Sequence, residues 1–177
     1  MVEIPEKDIP EAKNKIMKKL YLILMLASMS AFSQNIIIGD SQVPYIDMQT
    51  SKAIRVPQLW KGGIGTSELT RMVNDYPITP STKNVVISIG TNDAFRGSIS
   101  TLFQALKRKF PNAKFYVVQG SWGWGNNKSI NKAQVFSYYR QFQMYGVTII
   151  DTPIGPGDPH SLKASYILIG NSLDKLL

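Results

Sequence analysis

Short, continuous apolar runs alternate in this sequence with segments whose apolar residues recur at helical spacing. Five runs predict strands, at residues 35–38, 56–60, 84–89, 114–118 and 147–150. Four segments predict helices, at residues 67–76, 99–110, 131–145 and 163–177. Strands that are apolar throughout are typical of a parallel sheet covered on both faces. The order of the segments therefore predicts a three-layer α/β/α sandwich with a mostly parallel, flavodoxin-like sheet.

The first 33 residues differ from the rest of the chain. Lys18 and Lys19 precede an apolar run at residues 20–29, which is too short to span a bilayer, and Ala31 and Ser33 supply small residues after it. We expect a polar extension at 1–16, a signal peptide at 17–33 and one domain at 34–177. An uncleaved anchor or a buried core helix is the alternative for 17–33. Cleavage would give a secreted or periplasmic protein with no stable membrane insertion.

The composition excludes several kinds of chemistry. The 177 residues contain no cysteine and one histidine, which excludes disulfides, thiolate metal sites, cysteine nucleophiles and multi-histidine zinc sites. We therefore expect no metal and no cofactor. The net charge is +8, but the basic residues are scattered. Their densest group, residues 107–109, ends a predicted helix, where cations suit the helix dipole, so we expect no nucleic-acid partner.

Three polar motifs follow predicted strands. Their sequences are Gly-Asp-Ser-Gln at 39–42, Gly-Thr-Asn-Asp at 90–93 and Asp-Pro-His at 158–160. Ligands of an open parallel sheet bind beyond the carboxyl ends of its strands. The three motifs are therefore expected to meet at one edge of the sheet.

These residue types suit nucleophilic catalysis. A serine needs a base within hydrogen-bond reach, and histidine has the right pKa to take its proton. Ser41 is the candidate nucleophile and His160 the candidate base, oriented by Asp158 or by Asp151. The Ser41 N–H, the Asn92 side chain and a glycine N–H can form an oxyanion hole. For Asp40 and Asp93 we expect a structural role in the two turns.

The motifs together resemble the conserved blocks of the SGNH (GDSL-like) hydrolases. A fourth match is Gly-Gly-Ile-Gly-Thr at 62–66, which is similar to the family's glycine block. The resemblance implies a serine hydrolase of carboxylic esters, in which Gly65 or Gly63 supplies the backbone oxyanion donor. One position departs from the pattern: Gly157 stands where the family usually has its aspartate, three residues before the histidine. A Ser–His dyad is therefore the alternative to a triad with Asp158.

Two tryptophans predict the kind of substrate. Trp122 and Trp124 lie on a glycine-rich loop after the fourth predicted strand, where they can contact a sugar ring or an acyl group. We expect a small-molecule or glycan ester as substrate, with acetyl groups on carbohydrate favoured. The alternatives are a lipase or lysophospholipase, and an inactive glycan-binding or virion-associated module. The sequence indicates no oligomeric state.

Overall fold

The computed structural model describes residues 34–125 and 128–177. Gln34–Leu177 form one compact unit. The strands are β1 (Asn35–Gly39), β2 (Ile54–Trp60), β3 (Asn84–Ser88), β4 (Lys114–Val118) and β5 (Thr148–Ile150). The helices are α1 (Val43–Asp47), α2 (Thr66–Asp75), α3 (Ile99–Lys109), α4 (Lys132–Gln143) and α5 (Lys163–Leu176), with a 3₁₀ turn at Pro159–Ser161. The predicted extension at 1–16 and the predicted signal peptide at 17–33 lie outside the described residues.

The five strands form one parallel sheet in the order β2-β1-β3-β4-β5. This is the flavodoxin-like order, in which the direction of winding reverses between β1 and β3. The carboxyl ends of these two neighbouring strands border a crevice where such folds bind ligands. Ser41 follows β1 and Asn92 follows β3, so the switch point brings two of the predicted motifs together.

Helices cover both faces of the sheet. One face packs against α2, α3 and α4, whose buried residues include Leu69, Leu102 and Tyr139. The other face packs against α1 and α5, through residues such as Ile46 and Ile169. The inner strands β1, β3 and β4 alternate between these two cores, which explains why they are apolar throughout.

The predicted sandwich is confirmed, with two differences in its elements. The short helix α1 has no predicted counterpart, because its five residues carry less than two turns of apolar periodicity. Strand β2 begins at Ile54, two residues before its predicted start. It is an edge strand that is exposed at most positions, and Pro57 lies within it, as proline does in edge strands. Within residues 34–125 and 128–177, the helices are too short or too polar to cross a membrane.

Candidate active site

The turn that carries Ser41 begins at Gly39, the last residue of β1. Gly39 has φ +136°, and a Cβ there would lie 1.8 Å from the Ser88 carbonyl oxygen of β3. The Asp40 N–H donates to that same oxygen at 2.9 Å. A glycine is thus required before the nucleophile, because the backbone must turn left-handed while touching the next strand.

Asp40 anchors a buried polar network beneath Ser41. Its Oδ1 accepts the Gln42 N–H at 3.1 Å and lies 3.4 Å from the Ser88 hydroxyl. The Gln42 amide donates onward to Thr91 Oγ1 at 3.1 Å. The network therefore ties the Ser41 turn to the turn that carries Asn92, in keeping with the structural role expected for Asp40.

The same burial changes the acidity of Asp40. The side chain is fully buried, and its Oδ2 has no hydrogen-bond partner among the described residues. Loss of hydration raises the pKa of Asp40 from 3.8 to about 7, although the hydrogen bonds from Gln42 and Ser88 oppose the rise.

His160 and Asp158 complete a hydrogen-bonded chain to Ser41. The His160 Nε2 lies 3.1 Å from Ser41 Oγ, and its Nδ1 lies 3.1 Å from Asp158 Oδ1. Asp158 also accepts the His160 backbone N–H at 3.0 Å, which caps the 3₁₀ turn Pro159–Ser161. With Nδ1–H donating to the carboxylate, Nε2 is free to accept the serine proton.

Asp151 lies away from this chain. It is exposed in the bend after β5 and lines a shallow pocket with Arg140 and Gln119. The carboxylate that the structure brings to the imidazole is Asp158, despite its unusual spacing from His160.

The glycine block packs against the Asn92 turn. The Asn92 amide donates to the Ile64 carbonyl oxygen at 3.0 Å, and Asp93 Oδ2 accepts the Thr66 N–H at the start of α2 at 2.8 Å. A Cβ on Gly65 would lie 3.0 Å from the Asp93 Cβ, which is tighter than ordinary contact. Gly65 is therefore held closely beside the predicted oxyanion donor Asn92.

The other two glycines of the block have different surroundings. Gly63 is exposed with φ +78°, and a Cβ there would meet nothing within 4 Å. A Cβ on Gly62 would lie 3.8 Å from the Ser41 Cβ, so Gly62 borders the nucleophile. The position of this loop is set by β2, because Trp60 pairs with Gly39 and the Lys61 N–H donates to the Gly39 carbonyl at 3.1 Å.

Two aromatic rings flank the candidate base. The Trp124 ring lies 6.2 Å from the His160 ring, nearly perpendicular to it, and Tyr45 makes an edge contact with His160 at 5.8 Å. The Trp124 Nε1 is buried and has no hydrogen-bond partner among the described residues. Of the two predicted substrate-contacting tryptophans, Trp124 therefore lies at the site.

Trp122 instead packs under the loop that leads to His160. A Cβ on Gly155 would lie 2.8 Å from the Trp122 ring, and Phe136 contacts that ring edge-on at 6.0 Å. The Gly157 N–H donates to the Trp122 carbonyl at 3.1 Å, and Ser121 Oγ donates to the Gly157 carbonyl. The tryptophan loop thus supports the segment that positions Asp158 and His160.

Sequence reasoning missed Tyr45, the Gln42–Thr91 hydrogen bond and the proximity of Gly62, a member of the predicted glycine block, to Ser41. Pro44, at the first turn of α1, is the one local signal for the helix that carries Tyr45. The other two contacts join segments distant in the chain and have no local signature. Among the described residues, no group of three or more His, Cys, Asp or Glu side chains is placed to hold a metal ion.

The fold is that of the SGNH, or GDSL-like, hydrolases, as solved structures show. One is a member of the lipolytic G-D-S-L family from Veillonella parvula DSM 2008. It is 13% identical, with a TM-score of 0.56, over 81% of this chain and 97% of that one. At this sequence identity, the similarity establishes the fold. It confirms the predicted resemblance to SGNH hydrolases at the level of the fold.

Two further structures share the fold, one named for carbohydrate and the other for peptidoglycan. A carbohydrate esterase family 2 enzyme from Corynascus thermopiles (Myceliophthora fergusii) is 15% identical, with a TM-score of 0.56. The match covers 82% of this chain and 66% of that one, which includes a carbohydrate-binding domain. The catalytic domain of peptidoglycan O-acetyltransferase A from Streptococcus pneumoniae, solved with a methylsulfonyl adduct, is 13% identical, with a TM-score of 0.54, over 81% and 91%.

Sequence comparisons do not extend this result. No family model matches the chain, and no curated protein matches it.

Proposed function

We propose that this chain is a serine esterase that hydrolyses carboxylic esters through an acyl-Ser41 intermediate. The observation that carries the proposal is the continuous chain from Asp158 through His160 to Ser41, with 3.1 Å at each side-chain contact. Nucleophile, base and orienting carboxylate are within hydrogen-bond reach of one another, as acyl transfer requires.

The reaction proceeds in two steps. Ser41 Oγ attacks the ester carbonyl carbon while its proton passes to His160 Nε2. The bond from that carbon to the alcohol oxygen then breaks, and the imidazolium returns the proton to the leaving alkoxide. In the second step His160 deprotonates a water molecule, which attacks the acyl-enzyme and releases the acid and Ser41. Asp158 stabilises the imidazolium in both steps.

The oxyanion of each tetrahedral intermediate needs hydrogen-bond donors. The Ser41 N–H, the Asn92 amide and the Gly65 N–H are proposed for this role, and the close packing of Gly65 on Asp93 favours it over Gly63. The Asn92 amide has a second N–H besides the one donated to Ile64. Each such donor typically contributes about 3–4 kcal/mol to the transition state.

We propose a small acyl group, acetyl in the first place, on a carbohydrate as the substrate. Support comes from Trp124, whose ring lies 6.2 Å from the ring of His160. Its partly exposed ring can contact a sugar ring beside the candidate base. The names of the carbohydrate esterase and the peptidoglycan O-acetyltransferase domain are consistent with this class.

Hydrolysis of p-nitrophenyl acetate and p-nitrophenyl octanoate tests the reaction, with Ser41→Ala as the control. We expect Ser41-dependent turnover with a higher kcat/KM for the acetate. The proposed substrate class is then tested with the variant Trp124→Phe, by measuring its release of acetate from an acetylated polysaccharide. We expect a higher KM on the polysaccharide and an unchanged kcat/KM on p-nitrophenyl acetate.

The opposite outcomes select the alternatives. A kcat/KM that rises with acyl chain length would indicate the lipase or lysophospholipase. Folded protein that binds the polysaccharide but shows no Ser41-dependent turnover on any of these esters would indicate the glycan-binding module.

A further inference from the structure

A group of cations lies at the end of the sheet opposite the candidate active site. These residues, called the basic pole below, are Lys52, Lys83, Lys107, Arg108, Lys109 and Lys114. They stand where β2, β3 and β4 begin and where α3 ends. The described residues contain 15 Lys and Arg in all, and the basic pole comprises six of them.

Hydrogen bonds to backbone carbonyl groups hold these segments together. The Lys114 N–H donates to the Lys83 carbonyl at 2.8 Å, and the Thr79 N–H donates to the Lys109 carbonyl at 2.7 Å. The Asn35 side chain donates to the Lys52 carbonyl at 2.7 Å. The cations are scattered in sequence, but the fold brings them to one surface.

The basic pole keeps its charge. In the described part of the chain, none of its six cations forms an ion pair. Arg108 donates to the neutral Asn74 side chain at 2.9 Å, and Lys107 donates to the Pro111 carbonyl at 3.3 Å. Of the acids at this end, Asp75 pairs with Arg71, and Asp174 accepts a hydrogen bond from Thr50.

Exposed apolar side chains accompany the cations. Ile78 is 65% exposed, in the loop that Thr79 ties to the end of α3. The Asn112 side chain donates to the Pro80 carbonyl at 3.1 Å and fixes the other side of this loop. Met144, just after α4 at the same end, is 82% exposed.

We propose that the basic pole is a docking surface for an anionic lipid bilayer. Unpaired lysines and arginines are attracted by the negative potential of anionic headgroups, while fixed apolar side chains such as Ile78 enter the headgroup boundary. A soluble polyanion would use the cations alone and would leave Ile78 and Met144 in water. The combination therefore favours lipid over a soluble polymer.

The amino-terminal end of β1 also lies at this surface. The Lys83 N–H donates to the Gln34 carbonyl at 3.0 Å, so the chain enters β1 at the basic pole.

The docked orientation places the candidate active site on the far side. Ser41 follows the carboxyl end of β1, about 16 Å of strand away from the basic pole. Under the proposed function, on which this step rests, the esterase would face a polymer outside the membrane and not the lipid to which it is bound.

Cosedimentation of the full chain with vesicles tests the proposal. Phosphatidylcholine vesicles with about one-third phosphatidylglycerol are compared with pure phosphatidylcholine vesicles at low ionic strength. The test variant carries Lys52→Gln, Lys83→Gln, Lys109→Gln and Lys114→Gln. The matched control carries Arg96→Gln, Lys128→Gln, Arg140→Gln and Lys163→Gln, which lower the net charge equally but lie outside the basic pole.

We expect binding to anionic vesicles that falls by about three orders of magnitude in the test variant and by much less in the control variant. Ile78→Ser should weaken binding at about 0.5 M salt, where charge is screened. All variants retain residues 1–33, so insertion by that segment affects them equally.

Three results would overturn the proposal: equal binding of the two quadruple variants, equal binding to both vesicle types, or retention on heparin–agarose without binding to vesicles. Far-ultraviolet circular dichroism checks that each variant is folded. No substrate enters the measurement, so its outcome is independent of whether the chain is an esterase.

Discussion

Asp158 stands only two residues before His160, yet it reaches the imidazole. Its Oδ1 accepts both the backbone N–H and the Nδ1–H of His160, because the 3₁₀ turn at Pro159–Ser161 folds the two side chains onto each other. The sequence left a Ser–His dyad open since Gly157 occupies the usual aspartate position. The geometry favours a triad with a shortened spacing.

The first prediction concerns this carboxylate. Asp158→Asn keeps the size of the side chain but removes the charge that stabilises the imidazolium, so we expect kcat on p-nitrophenyl acetate to fall by about 10²–10⁴ with little change in KM. Asp151→Asn, at the other aspartate considered as orienter, is the matched control and should retain activity. Loss in Asp151→Asn with retention in Asp158→Asn would contradict the assignment.

The second prediction concerns Asp40. Its pKa rises from 3.8 to about 7 on folding because the carboxyl group is buried, so between these values the folded state binds more protons than the unfolded state. The free energy of unfolding should therefore decrease as pH rises from about 4 to 7, by up to about 4 kcal/mol from this group, and level off above.

Asp40→Asn tests this dependence, because the amide resembles the protonated acid and does not ionise. Urea unfolding across this pH range should show a flatter profile for Asp40→Asn than for the unsubstituted protein. Asp151→Asn, which removes an exposed carboxylate, should leave the profile unchanged. Parallel profiles for Asp40→Asn and the unsubstituted protein would refute the role of burial.

Helix α5 shows how contacts between elements override helix propensity. Gly170 lies in its middle, where alanine would ordinarily stabilise a helix by about 1 kcal/mol. A Cβ there would lie 2.1 Å from the Gln49 carbonyl oxygen, in the segment after α1. The glycine is required because the backbone of Gln49 crosses this face of the helix. Unlike a side chain, this backbone cannot rotate away from an added Cβ.

The third prediction follows from that contact. Gly170→Ala should destabilise the protein by about 1–3 kcal/mol, as overpacking does, whereas Asn171→Ala on the exposed side should be neutral or slightly stabilising. Thermal unfolding of the two variants measures the difference. An increase in Tm for Gly170→Ala would show that α5 can move away from Gln49 without cost.

At the scale of elements, predictability depends on burial. The inner strands and the amphipathic helices α2 and α3 were predictable because their apolar spacing records which faces are covered. Helix α1 was not, because it is short and its position depends on packing against β1 and α5. The first two residues of β2 were also missed, since an edge strand needs fewer apolar residues.

At the scale of the whole molecule, the parallel topology of the sheet determines where most of the candidate site residues lie. Once β1 and β3 are neighbours, the Ser41 and Asn92 turns must meet at the switch point, so sequence order alone predicted their proximity. The loops were not predictable in the same way. Trp124 lies beside His160, whereas Trp122 packs beneath Gly155. These two positions depend on contacts between two loops, and such contacts leave no periodic signal in the sequence.

The account depends on Ser41 being a nucleophile activated by His160, and covalent labelling measures this directly. The full chain is treated with methanesulfonyl fluoride, whose sulfur forms a bond to Ser41 Oγ as fluoride leaves, and the adduct is followed by intact mass and peptide mapping. We predict one adduct per chain, on Ser41, with none in Ser41→Ala and a rate at least about 10²-fold lower in folded His160→Ala. Labelling spread over other serines, or equal rates with and without His160, would contradict the account.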